Sequence, residues 1–233
     1  SIEFLKGHQL INSEYLIHKM ISEGKKILAE GAQGSLLDVE FGTYPFVTSS
    51  NTLSGGVCSG LGVAPKHIRK VYGIFKAYCT RVGSGPFPTE LDNELGESLR
   101  QKGNEFGATT GRTRRTGWLD LVSLKYTCML NGVDELIMMK GDVLNGFDEL
   151  KAATHYKIGD KTTDEVPSNL CSTEVQPMYK AFKGWPKETS IDKGFDAMPD
   201  SFKDYIDFVQ SYLGTKISVI SMGPGRDETL VLN

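Results

Sequence analysis

No stretch of this chain has the roughly 18–20 consecutive apolar residues that a bilayer crossing needs, and no charged-then-apolar signal opens it. Neither a membrane span nor a secretory leader is expected. Cysteine is scarce: Cys58, Cys79, Cys128 and Cys171 are scattered, form no CxxC pair and have no histidine at metal-ligand spacing. That excludes a zinc-finger class and a disulfide scaffold, leaving free thiols in a reducing cytosol. A basic excess is missing too. The net charge of -3 argues against a general nucleic-acid binder, though not against a local basic pocket for a small anion. Internal repeats and low-complexity tracts are absent. So is any GxxxxGK(S/T) phosphate loop.

What is present suits a globular fold. With 233 residues, 39% of them hydrophobic and 24% charged, the chain can bury one substantial core. Leu10, Ile17, Met20 and Ile21 predict an amphipathic helix over 2–21, ended by Gly24. A short strand is expected over 26–30, and Pro65 should open a helix reaching 71. Residues 73–82 read as a strand, although so short an apolar run fits a helix equally. Further helices are predicted over 94–102, 119–130 (stopped by Asn131-Gly132) and 202–213. Strands are predicted over 133–139 and 217–221, with a hairpin of 152–157 and 161–165 turning at Gly159. This alternation predicts an α/β fold, with a largely parallel central sheet flanked by helices and a small β-hairpin appendage. On that division 1–150 carries the sheet and its ligand loops, 151–200 the appendage, and 201–233 the last helix and strand.

Three polar, glycine-punctuated segments interrupt the pattern: EGAQG at 30–34, GATTGRTRRTGW at 107–118 and MKGDVLNG at 139–146. Lys140-Gly141-Asp142 follows an apolar strand, at its carboxyl end. There Asp142 can accept from N1–H and the 2-amino group of guanine, with the Lys140 stem lying across the base and its ammonium in water. Adenine lacks both donors and would leave the carboxylate unpaired. Alone, Lys-x-Asp after a strand is equally a solvated turn. Ser221-Met222-Gly223-Pro224 also follows a strand and could wall a base pocket, or be a plain Gly-Pro turn. Arg112, Arg114 and Arg115 must face solvent or meet an anion, and guanidinium pairs bidentately with carboxylate or phosphate. A solvated basic loop is the alternative; nucleic acid is poorly served, with Trp118 alone to stack. Gln33 can donate and accept, as the N1 and O6 edge of hypoxanthine requires. The hydroxyls of 42–51 suit a monoester phosphate or a turn.

In this order and setting the segments resemble the C-terminal half of the adenylosuccinate synthetases, which join L-aspartate to IMP at the expense of GTP. The resemblance is clearest over 27–146 and again over 217–232. It implies a GTPase-like guanine site at Lys140, Asp142, Ser221, Gly223 and Pro224, and an aspartate site at Thr110, Arg112 and Arg114. IMP would meet Gln33, Thr48, Arg112 and the backbone of Val82. Thr113 and Gly225 depart from the pattern. The implied reaction phosphorylates O6 of IMP with GTP, after which the aspartate amine displaces phosphate. Magnesium would bridge the phosphates through ligands outside this chain, in a cytoplasmic homodimer whose partner lends an arginine. The family's GDEGKGK-like loop, with its aspartate base, and its histidine loop have no counterpart. His8, His18, His67 and His155 fall on helices or a hairpin strand. The chain is therefore read as the C-terminal portion of such an enzyme, with no catalytic base, only Gln33 supporting at the IMP base, and inactive alone. A non-catalytic GTP- or IMP-binding module is the alternative; a phosphate-transfer enzyme of other specificity is a further one.

Overall fold

The computed structural model describes residues 2–107 and 111–232. Along the chain come α1 (Ile2–Lys6), α2 (Ser13–Ser22), α3 (Gly56–Leu61), β1 (Tyr72–Lys76), β2 (Cys79–Arg81) and α4 (Glu94–Lys102). Then follow β3 (Arg115–Gly117), β4 (Leu119–Asp120), α5 (Leu121–Asn131), β5 (Glu135–Met139), β6 (Glu149–Ile158) and β7 (Lys161–Thr163). The last elements are β8 (Gln176–Lys183), α6 (Asp200–Leu213), β9 (Ile217–Ser221) and β10 (Thr229–Val231).

The fold is α/β, built on a mixed, largely parallel sheet in the order β1-β5-β9-β10. Strands β1, β5 and β9 run parallel, and β10 closes the edge antiparallel to β9. The apolar runs of β5 and β9 place Leu136, Met138, Ile217 and Ile220 in the core, together with Phe202, Tyr205, Ile206 and Val209 from α6. That spacing on α6 is the stripe a helix presents to a sheet. The buried Tyr205 hydroxyl donates to Ala77 O at 3.0 Å, fixing the helix against the chain just beyond β1. In a second sheet β6 pairs parallel with β4 and antiparallel with β7 and β8. A small ladder joins β2 to β3. Since parallel strands align their carboxyl ends, β1, β5 and β9 deliver their exit loops to one rim.

Several expectations are corrected. The helix expected over 2–21 is two helices with no buried residues, parted around Gly7. No strand forms at 26–30: Ile27 and Leu28 are 41% and 86% exposed. So short an apolar run needs a neighbouring strand to satisfy its backbone, and none of the described residues pairs with it. Pro65 starts only a 3-10 turn, Pro65–His67. The strand expected over 73–82 splits into β1 and β2, in different sheets, because buried Ala77 and Tyr78 turn the chain. The helix expected from 119 begins at Leu121, since the Asp120 side chain caps it by accepting from Ser123 N at 3.1 Å. Strand β8, which carries Pro177 and two lysines, was not expected.

Candidate ligand site at the strand ends

At the end of β5 the backbone turns sharply. Lys140 adopts a left-handed conformation (φ 61) and opens the 3-10 turn Gly141–Leu144. Asn145 anchors the far side, accepting from Trp185 Nε1 at 2.7 Å and donating to Thr189 O at 2.8 Å. The neighbouring strand β9 ends in Ser221, whose hydroxyl donates to Gly223 O at 2.8 Å. A Cβ on Gly141 would stand 2.5 Å from Met222 Sδ, so the segments at 140–142 and 221–224 form one wall. Glu228 braces this wall by accepting from Gly225 N at 2.6 Å. Burial and the Glu228 charge raise the Asp142 pKa, and Asp142 Oδ1 is buried without a hydrogen-bond partner among the described residues. The Lys140 ammonium does not stay in water as expected. It turns inward to Gly103 O at 2.5 Å and Glu105 Oε1 at 3.0 Å.

Glu105 is the centre of the site, and sequence reasoning missed it. Its carboxylate is fully buried and accepts from Lys76 Nζ at 2.8 Å, Tyr78 OH at 2.5 Å, Lys140 Nζ at 3.0 Å and Arg114 at 2.7 Å. Burial alone would raise its pKa, but these four donors hold it down at about 2. A lone acid just upstream of three arginines was the available signal. Arg114 Nε is buried without a partner among the described residues. Arg115 is spent on the framework, bonding Glu90 Oε1 at 2.6 Å and Gly85 O at 2.8 Å. Arg112 is exposed after Gly111, whose φ of 63 directs the loop, and its carbonyl accepts from Gly107 N at 2.8 Å. Thr110 lies outside the described residues.

A second group forms around the loop following residue 35. Buried Asp38 accepts from the backbone amides of Glu40, Phe41, Thr52 and Leu53, which outweigh its burial and lower its pKa. Asn131, expected only as a helix stop, donates to Ser35 Oγ at 3.0 Å and accepts from Ser54 N at 2.7 Å. Arg81 donates to Thr43 Oγ1 at 3.0 Å and Phe46 O at 3.2 Å, joining this loop to the turn that holds Val82. Thr48 is half-buried, its amide donating to Leu37 O at 2.8 Å. The β2–β3 ladder pairs Arg81 with Arg115, so Val82 and Arg114 leave adjacent strand positions. Gln33 stands apart: it is exposed, with a φ of 62, and no hydrogen bond among the described residues joins it to either group.

Chemically, the first group offers an unpaired carboxylate oxygen beside a basic cluster, and the second a rigid loop of hydroxyls and amides. Among the described residues no three His, Cys, Asp or Glu side chains converge on a metal position.

The family profile for adenylosuccinate synthetase matches residues 3–230. The adenylosuccinate synthetase of Cytophaga hutchinsonii is 57% identical over 231 residues, covering 99% of this chain and 54% of the relative. The structure of fully ligated adenylosuccinate synthetase from Plasmodium falciparum aligns with a TM-score of 0.91 at 40% identity, over 96% of this chain and 54% of that one. Cyanophage S-2L succinoaminodeoxyadenylate synthetase, bound to dGMP and dATP as an energy donor, is similar in fold alone: TM-score 0.61, 17% identity, 98% and 54% coverage. The chain spans about half the length of the curated relatives it matches.

Proposed function

The chain belongs to the adenylosuccinate synthetase family, and from that premise we propose that it supplies the aspartate- and guanine-binding part of a GTP-dependent ligase joining L-aspartate to IMP. In this reading Asp142 accepts from N1–H and the 2-amino group of guanine, walled by Lys140, Ser221, Gly223 and Pro224. Arg112 and Arg114, with Thr110, clamp the aspartate carboxylates. Thr48, Gln33, Arg112 and the Val82 backbone meet IMP. Nothing in this set abstracts a proton or cradles the transferred phosphoryl group, so its work is binding, orientation and charge placement. The base, the phosphate loop and the magnesium ligands would come from outside these residues, in a cytoplasmic homodimer.

One observation carries the reading. Arg114 Nε and Asp142 Oδ1 are buried without a partner among the described residues, and they fall in the two segments assigned to aspartate and guanine. Each such atom costs about 1–3 kcal/mol unless a partner arrives. A cation beside one ligand and an anion beside the other match an incoming carboxylate and an incoming guanine edge.

The test is adenylosuccinate formation from IMP, aspartate and nucleoside triphosphate by the intact enzyme. Saturable dependence on aspartate and strong preference for GTP over ATP are expected. Equal use of ATP, or turnover that ignores aspartate, would overturn the assignment.

A further inference from the structure

We propose that Glu105 is a positioning residue shared by the two ligand-binding segments, holding Arg114 on one carboxylate oxygen and Lys140 on the other. This rests on the function proposed above and goes beyond it, because Glu105 is assigned no ligand. The carboxylate is 0% exposed, so water cannot substitute for its donors, and it is too enclosed to touch a ligand itself. Its charged partners arrive from three places: Lys76 from the end of β1, Lys140 from the end of β5, and Arg114 from the arginine loop. The Arg114 amide also donates to Glu105 O at 2.9 Å, so the residue holds both the loop and its side chain. Three cations against one carboxylate leave positive charge in excess beside the crevice. That excess suits an amino acid that presents two carboxylates, provided the cations keep their directions.

The two oxygens are unequal, which makes the inference testable. Oε1 takes Lys76, Tyr78 and Lys140, whereas Oε2 takes Arg114 alone. In Glu105→Gln the single amide oxygen belongs on the three-donor side, which turns the NH2 group towards Arg114. A donor facing a donor displaces that arginine and leaves Lys140 nearer its place. In the intact enzyme Glu105→Gln should raise KM for aspartate roughly tenfold or more and KM for GTP only about two- to threefold, with KM for IMP unchanged.

Glu105→Asp keeps the charge but is one methylene shorter and cannot span both cations. It should fold even where the amide variant does not, and should still raise KM for aspartate or GTP several-fold. A fall in kcat with every KM unchanged, or equal shifts in all three KM values, would mean a role in folding alone and would overturn the proposal, as would unchanged KM values in Glu105→Asp. Failure of the unmutated enzyme to show aspartate- and GTP-dependent turnover would instead sink the function reading, so the two failures are distinct.

Discussion

Gly141 packs against Met222 so closely that a Cβ on the glycine would come within 2.5 Å of the methionine sulfur. The contact joins the exits of two adjacent parallel strands, so a side chain added at 141 has to displace the Met222 side chain at the proposed guanine wall. Gly141→Ala should cost about 1–3 kcal/mol of stability through overpacking. It should also raise KM for GTP more than KM for aspartate. Adding Met222→Ala should restore part of the GTP affinity, as coupled neighbours do. An unchanged KM for GTP in Gly141→Ala would separate this contact from the nucleotide.

Asp142 carries an unpartnered buried oxygen and a pKa raised by burial and by Glu228. Asp142→Asn should therefore stabilise the ligand-free protein, since a partly desolvated charge disappears. The same change presents a donor to the guanine amino group, so GTP recognition should weaken by about 2–4 kcal/mol. XTP, whose 2-oxo group accepts, should be used relatively better. Thermal unfolding and the GTP/XTP ratio of kcat/KM read the two halves of this trade. Unchanged GTP kinetics would remove Asp142 from the base site.

Arg112 and Arg114 should be separable. Arg112→Leu should raise the aspartate requirement by roughly 10²-fold, about 3 kcal/mol for a desolvated bidentate pair, with GTP affinity nearly untouched. Arg114→Leu should do the same and also disturb GTP slightly, because Glu105 then loses its Oε2 partner. Initial-rate titrations of both substrates decide this. Equal deterioration for GTP and aspartate in Arg112→Leu would assign the loop to folding or closure.

Legibility in the sequence followed locality. The helix over 94–102 and the strand over 217–221 were readable because Asn93 caps the first through the amides of Leu95 and Gly96 and the second is a continuous apolar run. The three polar segments stood out because each sets glycines and polar residues against an apolar run. The split at Ala77–Tyr78 was not, since only tertiary burial of two residues in an apolar run reveals a turn. Glu105 was hidden for the same reason: its three cations come from positions 76, 114 and 140, which no local pattern relates. Asp38 is similar, an acid whose four amide donors converge only after the loop closes.

The Glu105 cluster also makes an acid-stability prediction. A Glu of ordinary pKa 4.5 held at about 2 contributes stability fully present above pH 4.5 and lost as pH falls towards 2. The contribution is roughly 3 kcal/mol. Lys76, whose pKa burial lowers, stays protonated throughout this window and adds no slope. Denaturant midpoints for the native protein and Glu105→Gln should therefore converge between pH 4.5 and 2. A difference that stays constant over that range would show that the carboxylate gains nothing from its donors.

The 233 residues by themselves should form no adenylosuccinate. Phosphoryl transfer depends on a phosphate cradle, its lysine and a metal, and transfer to O6 also needs a base near N1 of IMP. In the function proposed above, Gln33, Thr48, Arg112, Arg114, Lys140 and Asp142 hold parts of the ligands but replace none of those groups. Groups acting as one unit fail together, so many orders of magnitude in rate should be lost. Weak guanine-nucleotide binding should survive, because the wall of 140–142 and 221–224 is closed by contacts within this chain. Association should compete with it, since β1 is an edge strand and its Ile74 is 70% exposed. The assay is conversion of IMP, GTP and aspartate by the purified chain, with and without the remaining half of a relative supplied as a separate polypeptide. Turnover by the chain alone would mean that a phosphate-binding device exists within these residues, and would sink the division of labour proposed here.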